Sequence, residues 1–324
     1  MSKCFVHFLI LIFLLAEIIF AQVEVSSDSL LNITDSREYK SFQLEKSYLS
    51  KMNHISPEIP EINFLQKEIN YPILIGLGTG IIGSGVAVHL YQANAWWKSR
   101  RTKFHFQNDW DYSLWIDKVG HTYGTMIIGH GIASGLEAAN LDTERSIIYG
   151  SLTAFAYQIY VEIEDGFGPE WGFSPGDALF DFIGGVYPIA QYYYPYLKNF
   201  QLKFSYYPRQ LNEKGLIAGQ KHIIIDDYEG QKFWLAVRMK EVLPKDISKY
   251  WPGFLNLALG MGVTGLDGTG NGQRNFYLAL DFDTEWIPLF GPYWQFVKNT
   301  FNYFHFPMPG IRLTNNVVFL GLCY

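Results

Sequence analysis

The chain is poor in cysteine, with only Cys4 and Cys323 among its 324 residues. Cys4 precedes the first apolar run, so removal of that run would leave Cys323 alone. A single cysteine forms no intramolecular disulfide, which excludes a disulfide-stapled fold. Cys4 also stands before the apolar run, whereas the cysteine of a lipid anchor would stand after it.

Basic residues and recognisable catalytic motifs are scarce as well. Lys and Arg number 25 against 31 Asp and Glu, the net charge is −6, and no basic patch dominates. Because binding to phosphates needs clustered Lys and Arg, we expect no nucleic-acid partner. The sequence has no G-x-S-x-G elbow, no Walker loop, no H-E-x-x-H and no paired C-x-x-C. These absences leave open whether the protein is an enzyme.

The N-terminus has the form of a secretory signal. Lys3 precedes an apolar run, and Ala21 and Gln22 offer a small-residue cleavage point, which predicts a signal peptide over residues 1–21. An uncleaved anchor helix is the alternative, although a run of about 13 residues is short for a span. We therefore expect an exported protein. Its aromatic content of 17% suits a membrane interface or a β-rich envelope protein.

Composition and periodicity divide the remainder into three parts. Residues 22–70 are polar and weakly patterned, which indicates a linker or arm. Residues 71–199 are apolar and glycine-rich, which predicts a bundle of four or five helices. Its first segment, Tyr71–Trp97, contains the small-residue pair Gly76 and Gly80. A buried core helix, a membrane span and a pair of strands are the three interpretations of this segment.

Three further helices are predicted before residue 199. The first is expected from about Asp109 to Ala139 and the second from Thr143 to Ile163. The third opens with Ser174-Pro175-Gly176-Asp177, which has the serine, proline and acidic residue of a capping box, and is expected to run to about Tyr194.

Residues 200–324 change to an alternating pattern. Apolar residues recur at every second position around residues 233–239, 255–263, 276–282 and 318–324, which is typical of half-buried antiparallel strands. We predict an α+β fold in which the helical bundle is followed by an antiparallel sheet of five or six strands. A small outer-membrane β-barrel is an alternative, and its closure would require Tyr71–Trp97 to form strands.

Acidic residues and one histidine recur within the apolar helical part and form the candidate site. Asp117 and His121 lie one helical turn apart, so a carboxylate can orient the imidazole for base catalysis or metal binding. Glu162 and Asp165 end one predicted helix, the unfavourable end for carboxylates, and Asp177 and Asp181 lie on the next. Oxygen-rich groups with one imidazole suit a divalent metal ion. The candidate metal ligands are Asp117, His121, Glu162, Asp165 and Asp177.

Two hypotheses describe this polar set. In the first, the residues form a buried structural network in a membrane-associated envelope protein, and Lys118 neutralises part of the charge. In the second, they form a metal-dependent or acid–base hydrolase site for an envelope lipid or glycan. His121 would then be the base or a ligand, Asp117 would orient it, and Glu162 and Asp165 would be ligands or acid–base groups.

The motifs DKVGH, E-x-x-DGF and WGFS-x-x-D, followed by Gly184, resemble the YfiM-like proteins over about residues 104–207. The stretches 227–237 and 249–263 resemble the extension of longer envelope members of that family. The resemblance implies an envelope location, in the periplasm or outer membrane of a Gram-negative-type cell, with membrane or envelope components as partners and no established activity. The D-K-x-x-H pattern is also similar, more distantly, to VanZ-like membrane proteins. Asp181 departs from the family pattern, which has Asn there, and the anchor cysteine is missing.

Overall fold

A computed structural model describes residues 68–97, 101–208, 224–267, 271–314 and 316–323. The predicted signal peptide and the arm up to residue 67 lie outside the described residues. The chain divides into two units, Met1–Asn70 and Tyr71–Tyr324, and the description that follows concerns the second unit.

The first helix, α1, extends over Tyr71–Ala95 and carries no charged residue. Its segment Tyr71–Asn94 is long and apolar enough to cross a membrane, yet only 11% of its most apolar window is buried. Because Tyr71–Ala95 is a helix, the interpretation of this segment as a pair of strands is wrong. Because most of the helix is exposed within the described residues, its interpretation as a buried core helix is wrong as well. Closure of a β-barrel would require strands in this segment, whereas the segment is a helix.

Three helices form the rest of the bundle: α2 over Ile116–Ala138, α3 over Thr143–Asp165 and α4 over Pro175–Tyr193. Glycine lets them approach closely. A Cβ at Gly184 of α4 would lie 2.4 Å from the Thr122 carbonyl oxygen of α2, and one at Gly150 of α3 would lie 2.7 Å from the Gly129 carbonyl oxygen. The polar residues of one helix can therefore reach those of the next.

Helix α2 begins at Ile116, later than the predicted start near Asp109. The backbone of Ser113, Leu114 and Trp115 is left-handed, with φ of 46°, 53° and 76°, and this turn interrupts the helix. Arg274 stabilises the turn, since its Nε donates to the Leu114 carbonyl oxygen at 3.0 Å. The turn depends on a partner 160 residues away, which local patterning does not reveal.

The second half is a six-stranded antiparallel sheet in the order β1-β2-β3-β4-β5-β6, which confirms the α+β class. Its strands are β1 Phe200–Tyr206, β2 Gln231–Val237, β3 Leu255–Thr264, β4 Gln273–Phe282, β5 Met308–Arg312 and β6 Val318–Cys323. The alternating pattern located β2, β3, β4 and β6 but not β1 and β5. In the described part of the sheet region, three helices lie between strands: α5 Met239–Val242, α6 Lys245–Ser248 and α7 Pro292–Phe301.

The sheet packs on the first half of α2 through an apolar cluster. Ile116 and Tyr123 of α2 contact Phe204 of β1, Phe233 of β2 and Val263 of β3. Strands β1 and β2 are in register here, with Phe204 opposite Phe233. This contact fixes the sheet beside the start of α2, where the polar residues of the bundle lie.

Candidate functional site

The structure brings most of the predicted polar residues together at one end of the bundle. The start of α2, the end of α3 and the start of α4 meet there. We call the resulting set the helix cluster, and its members are Asp109, Asp117, Lys118, His121, Glu162, Asp177 and Asp181.

Ser174 connects three parts of the helix cluster. It is the N-cap of α4, where its Oγ accepts a hydrogen bond from the Asp177 backbone N–H at 3.0 Å. The same Oγ donates to Asp109 Oδ1, and the Ser174 N–H donates to Glu162 Oε2 at 3.1 Å. The serine cap predicted from the sequence is therefore present, but the Ser174 N–H binds Glu162 in place of the Asp177 carboxylate of a capping box, and this bond fixes Glu162 at the end of α3.

Asp181 fixes the orientation of the His121 ring. His121 Nδ1 lies 3.0 Å from Asp181 Oδ1, and Thr125 Oγ1 and Gln158 Nε2 donate to the same oxygen. Because an ionised carboxylate only accepts, the ring proton is on Nδ1 when the imidazole is neutral. The Nε2 lone pair then faces the interior of the cluster.

Three carboxylate oxygens from three helices surround His121 Nε2. Asp117 Oδ1 and Glu162 Oε1 lie 3.9 Å from it, and Asp177 Oδ1 lies 3.8 Å from it. These distances are too long for hydrogen bonds. Each of these distances separately is one that two ligands of the same ion can have, because bonds to a divalent ion are about 2.0–2.6 Å long. Two triads have ligand atoms within 4.8 Å of one another: Asp117, His121 and Asp177, and His121, Glu162 and Asp181.

Lys118 compensates part of the acidic charge. Its side chain is fully buried, and its Nζ lies 3.0 Å from Asp109 Oδ1, 3.2 Å from Asp117 Oδ2 and 2.7 Å from Asp177 Oδ1. Burial would raise the pKa of Asp109, but the hydrogen bond from Ser174 and the charge of Lys118 outweigh burial, so the pKa is lowered. Five carboxyl groups nevertheless face one ammonium group. Buried charge in such excess requires protonation or a cation.

A tyrosine from outside the bundle completes one side of the cluster. Tyr228 donates its hydroxyl proton to Asp117 Oδ1 at 2.8 Å. Burial raises the pKa of Tyr228 well above its ordinary value, and the adjacent Asp117 carboxylate raises it further. The tyrosine therefore remains protonated and serves as a donor that orients Asp117.

Two other acidic residues at the end of α3 have partners of their own. Asp165 Oδ1 accepts a hydrogen bond from Trp97 Nε1, and Glu164 forms an ion pair with Arg101. Asp165 belongs to neither of the two triads found among the described residues. Among the predicted site residues, Asp117, His121, Glu162 and Asp177 thus converge with Asp181, while Asp165 lies beside them.

Several members of the site carried little or no local signal. Asp181 was part of the candidate set, and Lys118 was expected to neutralise part of its charge. Asp109 marked only the predicted start of a helix, and no sequence pattern indicated Gln158. Tyr228 lies 111 residues from its partner Asp117, so only the packed structure reveals its role.

Comparison with known proteins gives one family match. Residues 105–193, which include α2, α3 and α4, match DUF2279, a family described as a predicted periplasmic lipoprotein. This match over part of the chain supports an exported location, and the description of the family names no activity. Neither the curated proteins nor the solved structures gave a significant match.

Proposed function

We propose that the chain is an exported envelope protein in which Asp117, His121, Glu162 and Asp177 hold a divalent cation. Asp181 orients His121, and Lys118 neutralises the part of the carboxylate charge that the cation does not. The family match over residues 105–193 supports the exported location. A signal peptide over residues 1–21, a YfiM-like identity and an outer-membrane location are the finer parts of this proposal.

The arrangement around His121 Nε2 carries the proposal. A ring nitrogen fixed through its other nitrogen faces oxygens of Asp117, Glu162 and Asp177 at 3.8–3.9 Å. Asp181, which is fully buried, adds an Oδ2 atom that makes no hydrogen bond within the described residues. An imidazole oriented by a carboxylate beside further oxygen donors is a typical divalent-metal site.

The site chemistry favours hydrolysis of an envelope lipid or glycan as the reaction class. A divalent ion in this position would polarise a phosphoryl or carbonyl oxygen, and a carboxylate of the cluster would accept a proton from water. We therefore propose metal-dependent hydrolysis as the activity to be tested once a bound ion is found.

A structural network is the second candidate function. Lys118 supports it, because this fully buried ammonium group already contacts Asp109, Asp117 and Asp177. In that case the remaining carboxyl groups would be protonated, and the cluster would hold α2, α3 and α4 together without an ion.

Metal analysis separates the two candidates. The full-length protein is purified in detergent without chelator, and its metal content and its binding of Mg²⁺, Mn²⁺ and Zn²⁺ are measured. His121→Ala is compared with His130→Ala, a matched control on the same helix whose ring contacts Thr300 outside the cluster. We expect about one ion per chain in the wild type and the control, and at least tenfold weaker binding in His121→Ala.

Two results would contradict the cation proposal. One is a folded wild-type protein that binds none of the three ions at millimolar concentration. The other is equal binding by His121→Ala and the wild type. N-terminal sequencing of the mature chain tests the exported form separately, with Gln22 as the expected first residue.

A further inference from the structure

Helix α4 has its polar and apolar faces reversed relative to a helix of a water-soluble protein. The residues that it buries are all small or acidic, namely Gly176, Asp177, Asp181, Gly184 and Gly185. The residues that it exposes include Leu179, Phe182, Ile183 and Val186, and Phe182 is 51% exposed. In water, a helix buries its apolar stripe and exposes its polar one.

Helix α1 shows the same reversal. It buries one aliphatic side chain, Leu74, and the polar side chains of His89 and Gln92, and His89 contacts Tyr160 of α3 at 2.6 Å between Nδ1 and the hydroxyl. It exposes Ile75, Leu90 and other aliphatic side chains over most of its length. Five glycines in this helix would each cost stability in water. Two helices of the same bundle thus expose apolar surface.

A band without Asp, Glu, Lys or Arg crosses all four helices. It comprises residues 71–95, 119–136, 146–161 and 182–193. Helices α2, α3 and α4 contain 23, 23 and 19 residues, which corresponds to about 28–35 Å of helix. The hydrocarbon core of a bilayer is about 30 Å thick. The whole helices therefore match the core in length, whereas the charge-free segments of α2, α3 and α4 contain 18, 16 and 12 residues, about 27, 24 and 18 Å, and are shorter than the core.

Contacts place α1 alongside α2 and α3. A Cβ at Gly135, near the end of α2, would lie 2.6 Å from Leu77 near the start of α1. At the other end, Trp97 follows α1 and contacts Asp165 at the end of α3. The charge-free segments of these helices are consequently side by side and not staggered.

Aromatic residues mark both ends of the band. Tyr71 begins α1, and Trp96 and Trp97 follow it. Tyr193 ends α4, and Tyr194 and Tyr196 follow it, all three exposed. Trp and Tyr are enriched at the two interfaces of a membrane, where an apolar ring meets a polar boundary.

We propose that a lipid bilayer covers the outward faces of α1 and α4, so that α1–α4 form an integral membrane bundle. The helix cluster then lies near one membrane interface, where the charged ends of α2, α3 and α4 meet. The bilayer accounts for the exposed apolar side chains, the buried polar ones and the absence of charge from one band. Neither the proposed cation nor the family description requires this placement.

The experiment uses the full chain in its native membranes and in phosphatidylcholine vesicles. Wild-type membranes are washed with alkaline carbonate, which we expect to leave the protein in the pellet until detergent is added. A fluorophore is then attached to Ile183→Cys, on the outward face of α4, or to Tyr250→Cys, an 80% exposed position beyond the bundle. The native Cys323 is buried, and the unsubstituted chain gives its background labelling.

We expect brominated lipid to quench the label at position 183 at least twofold more than the label at position 250. Aqueous iodide should quench in the opposite order. The inference is overturned if carbonate releases a monodisperse wild-type protein without detergent, or if iodide quenches both labels equally in a folded protein. Metal binding in detergent is measured separately, so failure of the membrane inference leaves the cation proposal standing, and the reverse also holds.

Discussion

Two buried polar clusters within the described residues are built from similar side chains in different proportions. The helix cluster combines five carboxyl groups with Lys118 and His121. The second cluster, the sheet cluster, consists of Lys203, Asp281, His305 and Asn302. Each cluster has one lysine and one histidine, but the sheet cluster has a single carboxylate between them.

In the sheet cluster, the lysine ammonium group and both histidine ring nitrogens have hydrogen-bond partners. Lys203 Nζ lies 2.7 Å from Asp281 Oδ2, and it donates to the Phe282 carbonyl oxygen and to Asn302. His305 Nδ1 lies 2.9 Å from Asp281 Oδ1, and its Nε2 lies 3.2 Å from the Cys323 carbonyl oxygen. Both ring nitrogens are thus engaged, whereas Nε2 of His121 faces carboxylate oxygens beyond hydrogen-bond distance.

The difference shows that buried charge alone does not identify a functional site. A balanced cluster with every donor and acceptor used stabilises the fold, and it offers no position for a ligand. In the helix cluster the carboxyl groups outnumber the one ammonium group of Lys118, so a further positive charge can be accommodated beside His121. The comparison therefore predicts that a divalent ion affects the stability of variants in the helix cluster differently from that of variants in the sheet cluster.

Replacement of each lysine gives the largest expected effect. Lys203→Met leaves Asp281 without its ammonium partner and should reduce the free energy of unfolding by about 3–5 kcal/mol, with or without a divalent ion. Lys118→Met should cost a similar amount in chelator, but a divalent ion should restore most of it. Thermal unfolding in detergent measures both. Equal rescue of the two variants would remove the distinction between the clusters.

Glu162→Gln tests whether the excess charge serves ion binding. In chelator the variant should be as stable as the wild type or more stable, because one buried carboxyl group is removed. In the wild type, an ion at one hundred times its Kd should add about 2.7 kcal/mol, and the variant should lose most of this gain. An unchanged ion-dependent shift in Tm for Glu162→Gln would exclude Glu162 as a ligand.

A matched pair of glycine substitutions separates geometry from stability. A Cβ at Gly184 would lie 2.4 Å from the Thr122 carbonyl oxygen, and one at Gly260 would lie 2.4 Å from the Trp234 ring. Each change to Ala should cost about 1–3 kcal/mol through overpacking. Only Gly184→Ala should also weaken ion binding, because it separates α4 from α2. Isothermal titration of both variants checks this difference, and weaker binding by Gly260→Ala would contradict it.

The smallest expected effect is a loss of stability in acid that arises in the sheet cluster. Burial would raise the pKa of Asp281, but the hydrogen bond from His305 and the charge of Lys203 outweigh it, so the pKa is lowered. The ionised carboxylate therefore stabilises the fold above the unfolded pKa of about 3.9, and this contribution is lost as the pH falls through the lower pKa of the folded state. Unfolding between pH 6 and 2.5 should show the loss in the wild type. Asp281→Asn should show less of it, and an identical acid profile would argue against the role of Asp281.

Much of the helical part was predictable because its signals are local. The serine cap at Ser174 and the proline at the first position of α4 are determined by neighbouring residues, and both are present as expected. The strands with clean alternation, such as Leu255–Thr264, were located for the same reason. The late start of α2 and the strands β1 and β5 were not, since they depend on partners distant in sequence.

The sequence by itself determined which residue types were available: scattered carboxylates, one histidine at helical spacing and long segments without charge. Only the tertiary structure decided that Asp181 orients His121, that Tyr228 and Asp109 join the cluster, and that Asp165 lies beside it. It also showed that α1 and α4 expose their apolar faces. The physical reason is that local propensity depends on adjacent residues, whereas the compensation of a buried charge depends on whichever side chains the fold brings within a few ångströms of it.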